Sequence, residues 1–132
     1  MSATPEAAAP ALSPSATLYE RLGGRPGIEA IVADIWHNHI TNPLINKRYA
    51  NSDPETVKRL VTEMCCAGFG GPETYTGKDM LSAHKGMNIN DTEFVAVCDD
   101  VLKALTKHDV GQREKDEILC ILYSLKGEVV YQ

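Results

Sequence analysis

The sequence predicts an all-α domain. Apolar residues recur at three- and four-residue steps in several segments, which is the spacing of one face of a helix. Gly-Gly, Asn-Pro, Asp-Pro and Gly-Gly-Pro sequences separate these segments, and such sequences begin or end helices. No stretch alternates apolar and polar residues for long enough to indicate a strand.

The first two predicted helices lie on either side of a glycine pair at 23–24. Thr17 is a suitable N-cap for a short helix that ends at those glycines. Pro26 suits the first turn of the second helix, because its missing N–H costs nothing there. This helix ends at Asn42 and Pro43. Its apolar positions are Ile28, Ile31, Val32, Ile35, Trp36 and Ile40.

The third predicted helix begins with another cap and proline, Asp53 and Pro54, and ends at the Gly-Gly-Pro sequence of 70–72. A loop over 73–79 precedes a short helical segment from Met80 to Gly86. The face of the third helix consists of Val57, Leu60, Val61, Met64 and Cys65.

Two longer helices complete the chain. Asn90 or Asp91 caps the fifth element, and the last helix is predicted from Gln112 to about Val130. The apolar stripe of the fifth is Phe94, Val97, Cys98, Val101, Leu102 and Leu105. That of the last helix is Ile118, Ile121, Leu122, Leu125 and Val129.

Length and composition indicate a single globular domain. The 132 residues are 43% hydrophobic and carry a net charge of −5, which gives no reason to expect nucleic acid or an anionic membrane as a partner. No apolar run is long enough for a membrane span. Residues 1–16 are rich in Ala, Pro and Ser and have no basic n-region, so they are interpreted as a disordered extension rather than an export signal, before a domain at 17–132.

The cysteines and histidines leave the chemistry open at this point. Cys65, Cys66, Cys98 and Cys120 form no CxxC pair, and we expect free thiols in a reducing cytosol, with the last two among core residues. No hydrolase or phosphate-loop motif is present. His84 has small and apolar neighbours, an environment in which a histidine is more often structural than a ligand. His37 and His39 are assigned to the polar side of the second helix, and His108 to a helix C-terminus.

Several segments together resemble one family. TLYERLGGRPGIEAIVADIW, NPLINKRYANSD, FGGPETYTGKDMLSAHKGMNI and ILYSLKGEVV are similar to the group I truncated globins, over about Thr17 to Val130. The resemblance implies a two-over-two helical sandwich, in which helices B and E pack on G and H around haem b (iron protoporphyrin IX). It also implies that His84 is the protein ligand of the iron. The second N–H of its ring then needs an acceptor, for which a backbone carbonyl one turn back is suitable.

The opposite, distal wall departs from the family pattern. Many group I proteins place a Tyr on helix B and a polar residue on helix E, where both hydrogen-bond the gas ligand. The matching positions here are Trp36 on helix B and Val57, Leu60 and Val61 on helix E. Tyr49 matches the aromatic residue after helix C that packs on haem. Each of Trp36 and Tyr49 either supplies a hydrogen-bond donor or only fills space.

The same matching predicts further haem contacts. Lys78 and Arg59 are candidates to pair with the propionates, or else are solvated surface cations. Tyr75 is expected to fix the loop before His84. The apolar candidates are Ile35, Met64, Phe69, Met80, Ile89, Phe94, Val97, Ile118 and Leu122.

Two classes of function follow from the resemblance. In the first, which we favour, the protein binds diatomic gases (oxygen, nitric oxide or carbon monoxide) reversibly, for transport, storage or sensing. In the second it is a haem enzyme, a nitric oxide dioxygenase that depends on an unidentified reductase or a peroxidase-like enzyme. The distal acid or base of a peroxidase is not expected, because His37 and His39 are assigned away from the pocket.

Overall fold

The architecture is known from a computed structural model that describes residues 15–132. The predicted extension over 1–16 therefore lies outside the described residues, apart from its last two. The helices are α1 (Leu18–Arg21), α2 (Gly24–Thr41), α3 (Pro54–Gly68), α4 (Met80–His84), α5 (Asp91–Lys107) and α6 (Gln112–Ser124). Two short 3₁₀ helices cover Asn46–Tyr49 and Lys126–Glu128.

Side-chain caps set where α1, α3 and α5 begin, as predicted. Thr17 accepts a hydrogen bond from the Glu20 N–H, and the Glu20 side chain accepts one from the Thr17 N–H, which is a capping box. Asp53 caps α3 and is followed by Pro54 at the first helical position. Asn90, rather than Asp91, caps α5. These side chains satisfy N–H groups that have no partner inside the helix.

The helices form the predicted two layers, with α2 and α3 packed on α5 and α6. The core between them includes Ile28, Leu105 and Cys66, each less than 2% exposed. Gly27 permits the close turn from α1 into α2, because a Cβ there would lie 2.1 Å from the Leu22 carbonyl oxygen. None of the helices in residues 15–132 combines the length and apolar character needed to cross a membrane.

The last helix is shorter than predicted. It ends at Ser124, and the chain continues through the 3₁₀ turn that contains Gly127, a poor helix former. Beyond it the backbone pairs with the segment between α4 and α5: the Tyr131 N–H donates to the Ile89 carbonyl at 2.8 Å. This pairing, an isolated parallel bridge between Ile89 and Val130, requires the chain to leave the helix.

The prediction for the cysteines is confirmed in part. All four are free, and Cys98 is buried as expected. Cys120 is exposed, so its assignment to the core is wrong: it lies on the side of α6 opposite the buried Ile118. Burial raises the pKa of the Cys65 thiol to about 12, which keeps it protonated and unreactive at neutral pH.

Candidate functional site

A largely apolar cavity of about 480 Å³ lies between the two helical layers. Its volume is in the range of cofactor and small-molecule sites. The predicted contacts that line it are Ile35, Trp36, Tyr49, Val57, Leu60, Val61, Met64, Phe69, Met80, His84, Ile89, Phe94, Val97, Ile118 and Leu122. Lys78 is absent from this lining, although its backbone takes part in the loop described below.

His84 lies at the C-terminal end of α4, which is only one turn and a half long. Asp79 caps this helix by accepting a hydrogen bond from the Ser82 N–H at 2.9 Å. The His84 Nδ1 lies 2.8 Å from the Met80 carbonyl oxygen, one turn back as predicted. A carbonyl only accepts, so Nδ1 carries a proton, and in the neutral ring Nε2 has a free lone pair. That lone pair is what a metal ligand requires.

The loop before α4 is fixed by side chains on both sides. The Tyr75 hydroxyl donates to the Lys78 carbonyl, as expected of a residue that holds this loop. Thr76 donates through its N–H and its hydroxyl to Glu63 on α3, at 3.0 and 2.6 Å. Arg59 pairs with the same carboxylate at 3.0 Å and does not line the cavity. The propionate roles of Arg59 and Lys78 remain predictions.

Two cations that the sequence reasoning missed line the cavity instead. Arg48 does so while pairing with Glu93 through two nitrogens, at 2.6 and 2.9 Å, and donating to the Met87 carbonyl. Lys58 on α3 also lines it and pairs with Glu55 at 3.1 Å. For Lys58 the sequence did offer a signal, because this cation lies next to the apolar stripe of α3. Either side chain suits the carboxylates of a cofactor at the cavity rim.

The distal side contains an aromatic row, which we define as Trp36, Tyr49 and His39. The Trp36 and Tyr49 rings meet edge to face, with centroids 5.5 Å apart and an interplanar angle of 80°. The Tyr49 ring stacks on the His39 imidazole, at 5.4 Å and 9°. Burial raises the pKa of Tyr49 to about 12, so its hydroxyl remains protonated and able to donate.

The position of His39 corrects the sequence interpretation. It is 8% exposed and lines the cavity, whereas His37 is the exposed histidine of α2. The assignment overlooked that position 39 continues the apolar stripe of Ile28, Val32 and Ile35 at helical spacing. His39 was read as polar by residue type, although the period placed it on the buried face.

A carboxylate from α5 accounts for the burial of His39. Its Nδ1 lies 2.8 Å from Oδ2 of Asp100, which is 3% exposed. The Asn42 amide donates to both oxygens of that carboxylate, at 3.1 and 3.2 Å. Burial lowers the pKa of His39 more than the neighbouring carboxylate raises it, so the ring is neutral at pH 7. We call His39, Asp100 and Asn42 the polar triad.

Three polar atoms of the aromatic row have no hydrogen-bond partner in the part of the chain that the structure describes. No hydrogen bond in residues 15–132 involves the Trp36 indole N–H, the Tyr49 hydroxyl or the His39 Nε2. Among the same residues, Glu73 Oε1 is the sole fully buried side-chain nitrogen or oxygen without a hydrogen-bond partner. The three atoms of the aromatic row are therefore not fully buried, and all three residues line the cavity.

The residues present fit a haem group. An imidazole nitrogen is available on one wall, the remaining lining is mostly apolar, and two partly exposed cations line the cavity as well. These are the features that hold an iron porphyrin: an axial ligand, an apolar slot and partners for the propionates. No group of three or more His, Cys, Asp or Glu residues in the described chain suggests a different metal site.

Comparisons with known proteins agree with this geometry. The family model of the bacterial-like globins matches residues 17–131. A group 1 truncated hemoglobin of Tetrahymena pyriformis is 30% identical over 89 residues, which cover 67% of this chain and 74% of the relative. The group 1 truncated hemoglobin GlbN of Nostoc sp. is 25% identical over 114 residues, 86% of this chain and 97% of the relative.

Solved structures are similar over most of the chain. The truncated hemoglobin of Tetrahymena pyriformis in its Fe(III) form has a TM-score of 0.85 at 25% identity, covering 89% of this chain and 100% of the other. The 2/2 hemoglobin of Synechococcus, solved in the cyanomet state with covalently attached heme, has a TM-score of 0.78 at 25% identity. The match covers 84% of this chain and 94% of the Synechococcus chain.

Proposed function

The chain belongs to the bacterial-like globin family, and from that premise we propose that it holds haem b through His84 and binds diatomic gases reversibly. Membership of the family supports a haem-binding protein, and the geometry of the cavity supports the assignment of the ligand. When bound, the haem iron supplies an open coordination position for a gas molecule. The protein determines how that position is surrounded.

The observation that carries the proposal is the state of His84. Its ring lines the cavity, and its Nδ1 donates to the Met80 carbonyl, so Nε2 is the nitrogen left to bind a metal. A hydrogen bond of this kind fixes the tautomer and the orientation of a ligating histidine. Arg48 and Lys58 are the cations available to the propionates from the cavity lining.

The α3 part of the distal wall supports weak oxygen binding. Val57, Leu60 and Val61 of α3 line the cavity with apolar side chains. A hydrogen bond to a bound oxygen ligand contributes about 1.5–3 kcal/mol, or roughly tenfold or more in affinity, and these side chains cannot supply it. Carbon monoxide and nitric oxide depend less on such a donor. We therefore infer that α3 itself favours fast oxygen dissociation and low discrimination for oxygen, and that any slowing comes from the Tyr49 hydroxyl or the Trp36 N–H.

His84→Ala tests the haem ligand. The wild type, expressed with sufficient haem, should show a Soret band and bind carbon monoxide when reduced. The variant should lose haem at least about tenfold faster, because the axial bond is gone, while its far-ultraviolet circular dichroism stays helical. His37→Ala, an exposed histidine of α2, is the control and should behave as wild type. A His84→Ala protein with wild-type spectra and haem retention would refute the assignment.

The enzymatic alternative gains support from one observation. A peroxidase-like enzyme needs an acid or base on the distal side, and buried His39 lines the cavity with Asp100 behind it. No comparable feature favours a nitric oxide dioxygenase, which also requires an electron donor. The four free thiols support a reducing cytoplasmic location.

A further inference from the structure

The polar triad of His39, Asp100 and Asn42 is unusual next to a cavity with mostly apolar walls, which His39 alone of the three lines. A buried carboxylate is costly unless it is paired and hydrogen-bonded, and gas binding alone does not require one here. Its two oxygens accept three contacts, one from His39 and two from Asn42. The arrangement holds the imidazole in one orientation, which is what a positioned base needs.

The tautomer of His39 follows from its partner. The Asp100 carboxylate only accepts, so His39 Nδ1 carries the proton and donates it to Oδ2 across 2.8 Å. Nε2 is then an unprotonated acceptor, without a partner among residues 15–132. A proton that arrives at Nε2 converts the neutral ring and the carboxylate into a buried ion pair. A carboxylate behind an imidazole stabilises the protonated ring in this way.

The groups around Nε2 complete the environment. Tyr49 covers one face of the ring, and Trp36 contacts Tyr49 edge to face. Both offer donors, whereas His39 offers an acceptor, so the aromatic row can bind a molecule that both accepts and donates a hydrogen bond. A diatomic gas has no proton to donate. A small protic molecule such as a hydroperoxide or hydrogen sulfide does.

We propose that His39 is the proton acceptor of the cavity for small weak acids that enter protonated and bind the iron as anions. Its Nε2 takes the proton as the H–X bond breaks, the electron pair stays on X, and Asp100 stabilises the imidazolium that results. No electron is transferred. The proposal rests on the haem site proposed above, and it extends the ligands of that site from neutral gases to protic molecules.

Cyanide is the probe, because it is mainly protonated as hydrogen cyanide at neutral pH and binds ferric haem as the anion. The His39 ring is neutral without a ligand, but a bound anion facing Nε2 adds to the stabilisation of the imidazolium by Asp100. In the wild type the proton should therefore remain on His39, so cyanide binding in weak buffer at pH 7 should release almost no proton. His39→Gln should release about one proton per cyanide bound, and its association rate should fall about a hundredfold, the usual contribution of a positioned base. Carbon monoxide binding to the ferrous protein involves no proton, so it should release none in the wild type or in His39→Gln.

Two further variants keep the test decisive. His37→Gln alters an exposed histidine of the same helix and should reproduce the wild-type rate and proton balance. Asp100→Asn preserves the shape but removes the charge that stabilises the imidazolium, so proton release should reappear. Release of one proton per cyanide by the wild type, or an unchanged cyanide rate in His39→Gln, would overturn the proposal. In that case a Soret band and carbon monoxide binding would leave the haem assignment intact, whereas their absence would overturn both.

Discussion

The two walls of the cavity handle their polar groups in opposite ways. On the proximal wall, His84 has one ring nitrogen bonded to a backbone carbonyl of its own helix, and only the other is free. On the distal wall, three polar atoms of the aromatic row have no partner within residues 15–132, and a buried carboxylate lies behind them. The proximal wall is thus built by local contacts for one task, and the distal wall by contacts between distant segments.

This difference indicates which wall of the cavity is more sensitive to substitution. A hydrogen bond from one turn back in the same helix is retained by any sequence that forms that helix, so the proximal geometry needs little else. The distal chemistry depends on α2, α5 and the first 3₁₀ turn meeting in register. Substitutions should therefore alter stability and ligand choice more readily on the distal side.

Removal of the distal carboxylate should have the largest effect on stability. Asp100→Ala leaves His39 and Asn42 without their shared acceptor and should lower the free energy of unfolding by about 3 kcal/mol, measured by urea denaturation. Asp99→Ala, the exposed neighbour, should stay within about 0.5 kcal/mol of the wild type. Equal effects of the two substitutions would show that the polar triad does not stabilise the distal half.

A donor added to the apolar stretch of α3 should come next. Val61→Gln places an amide on the wall of the cavity and should slow oxygen dissociation about tenfold or more, as measured by stopped flow. Tyr49→Phe and Trp36→Phe are companion variants. If the wild type already releases oxygen slowly and neither companion changes the rate, the inference that only Tyr49 or Trp36 slows oxygen dissociation is wrong.

On the proximal side, a weaker effect is expected from the cap of α4. Asp79→Ala removes the acceptor for the Ser82 N–H and should speed haem loss about fivefold, because the short helix that presents His84 frays. Haem transfer to an excess of apomyoglobin measures the rate. Lys85→Ala, at the other end of α4, is the control and should leave the rate unchanged. A faster loss in both variants would point to general weakening of the segment.

The smallest expected effect is the pH dependence due to His39. Its pKa is lowered by burial in the folded protein, so the unfolded chain binds more protons below the ordinary histidine pKa of about 6.5. This contribution to stability is complete above that pH and decreases as the pH falls through it, by at most about 1.4 kcal/mol per pH unit. His39→Gln should flatten that part of the profile, and His37→Gln should not. Identical profiles for wild type and His39→Gln would contradict the burial effect.

The sequence predicted best what depends on neighbours along the chain. The caps at Thr17, Asp53 and Asn90 are satisfied within three residues, and the acceptor of His84 lies four residues away. Helical period alone predicted most of the apolar faces of α2, α3, α5 and α6, although Ile40 and Cys120 proved to be exposed. The family resemblance turned those faces into a cavity.

Contacts between distant segments were the part that sequence reasoning could not supply. The partner of His39 is 61 residues away, and nothing near position 39 indicates it. A signal did exist on α5, where Asp100 lies directly before Val101 on a buried stretch, since a carboxylate there needs a buried partner. The early end of α6 likewise depends on pairing with Ile89 across the fold.

The position of Trp36 has a practical use. It is the single tryptophan of the chain, and it lines the cavity. Indole emission overlaps haem absorption, so energy transfer over such a short distance should extinguish its fluorescence whenever haem is seated. The fluorescence of Trp36 thus reports the fraction of the protein that contains haem. Titration of the apoprotein with hemin, followed by this emission, would count occupied sites without any label.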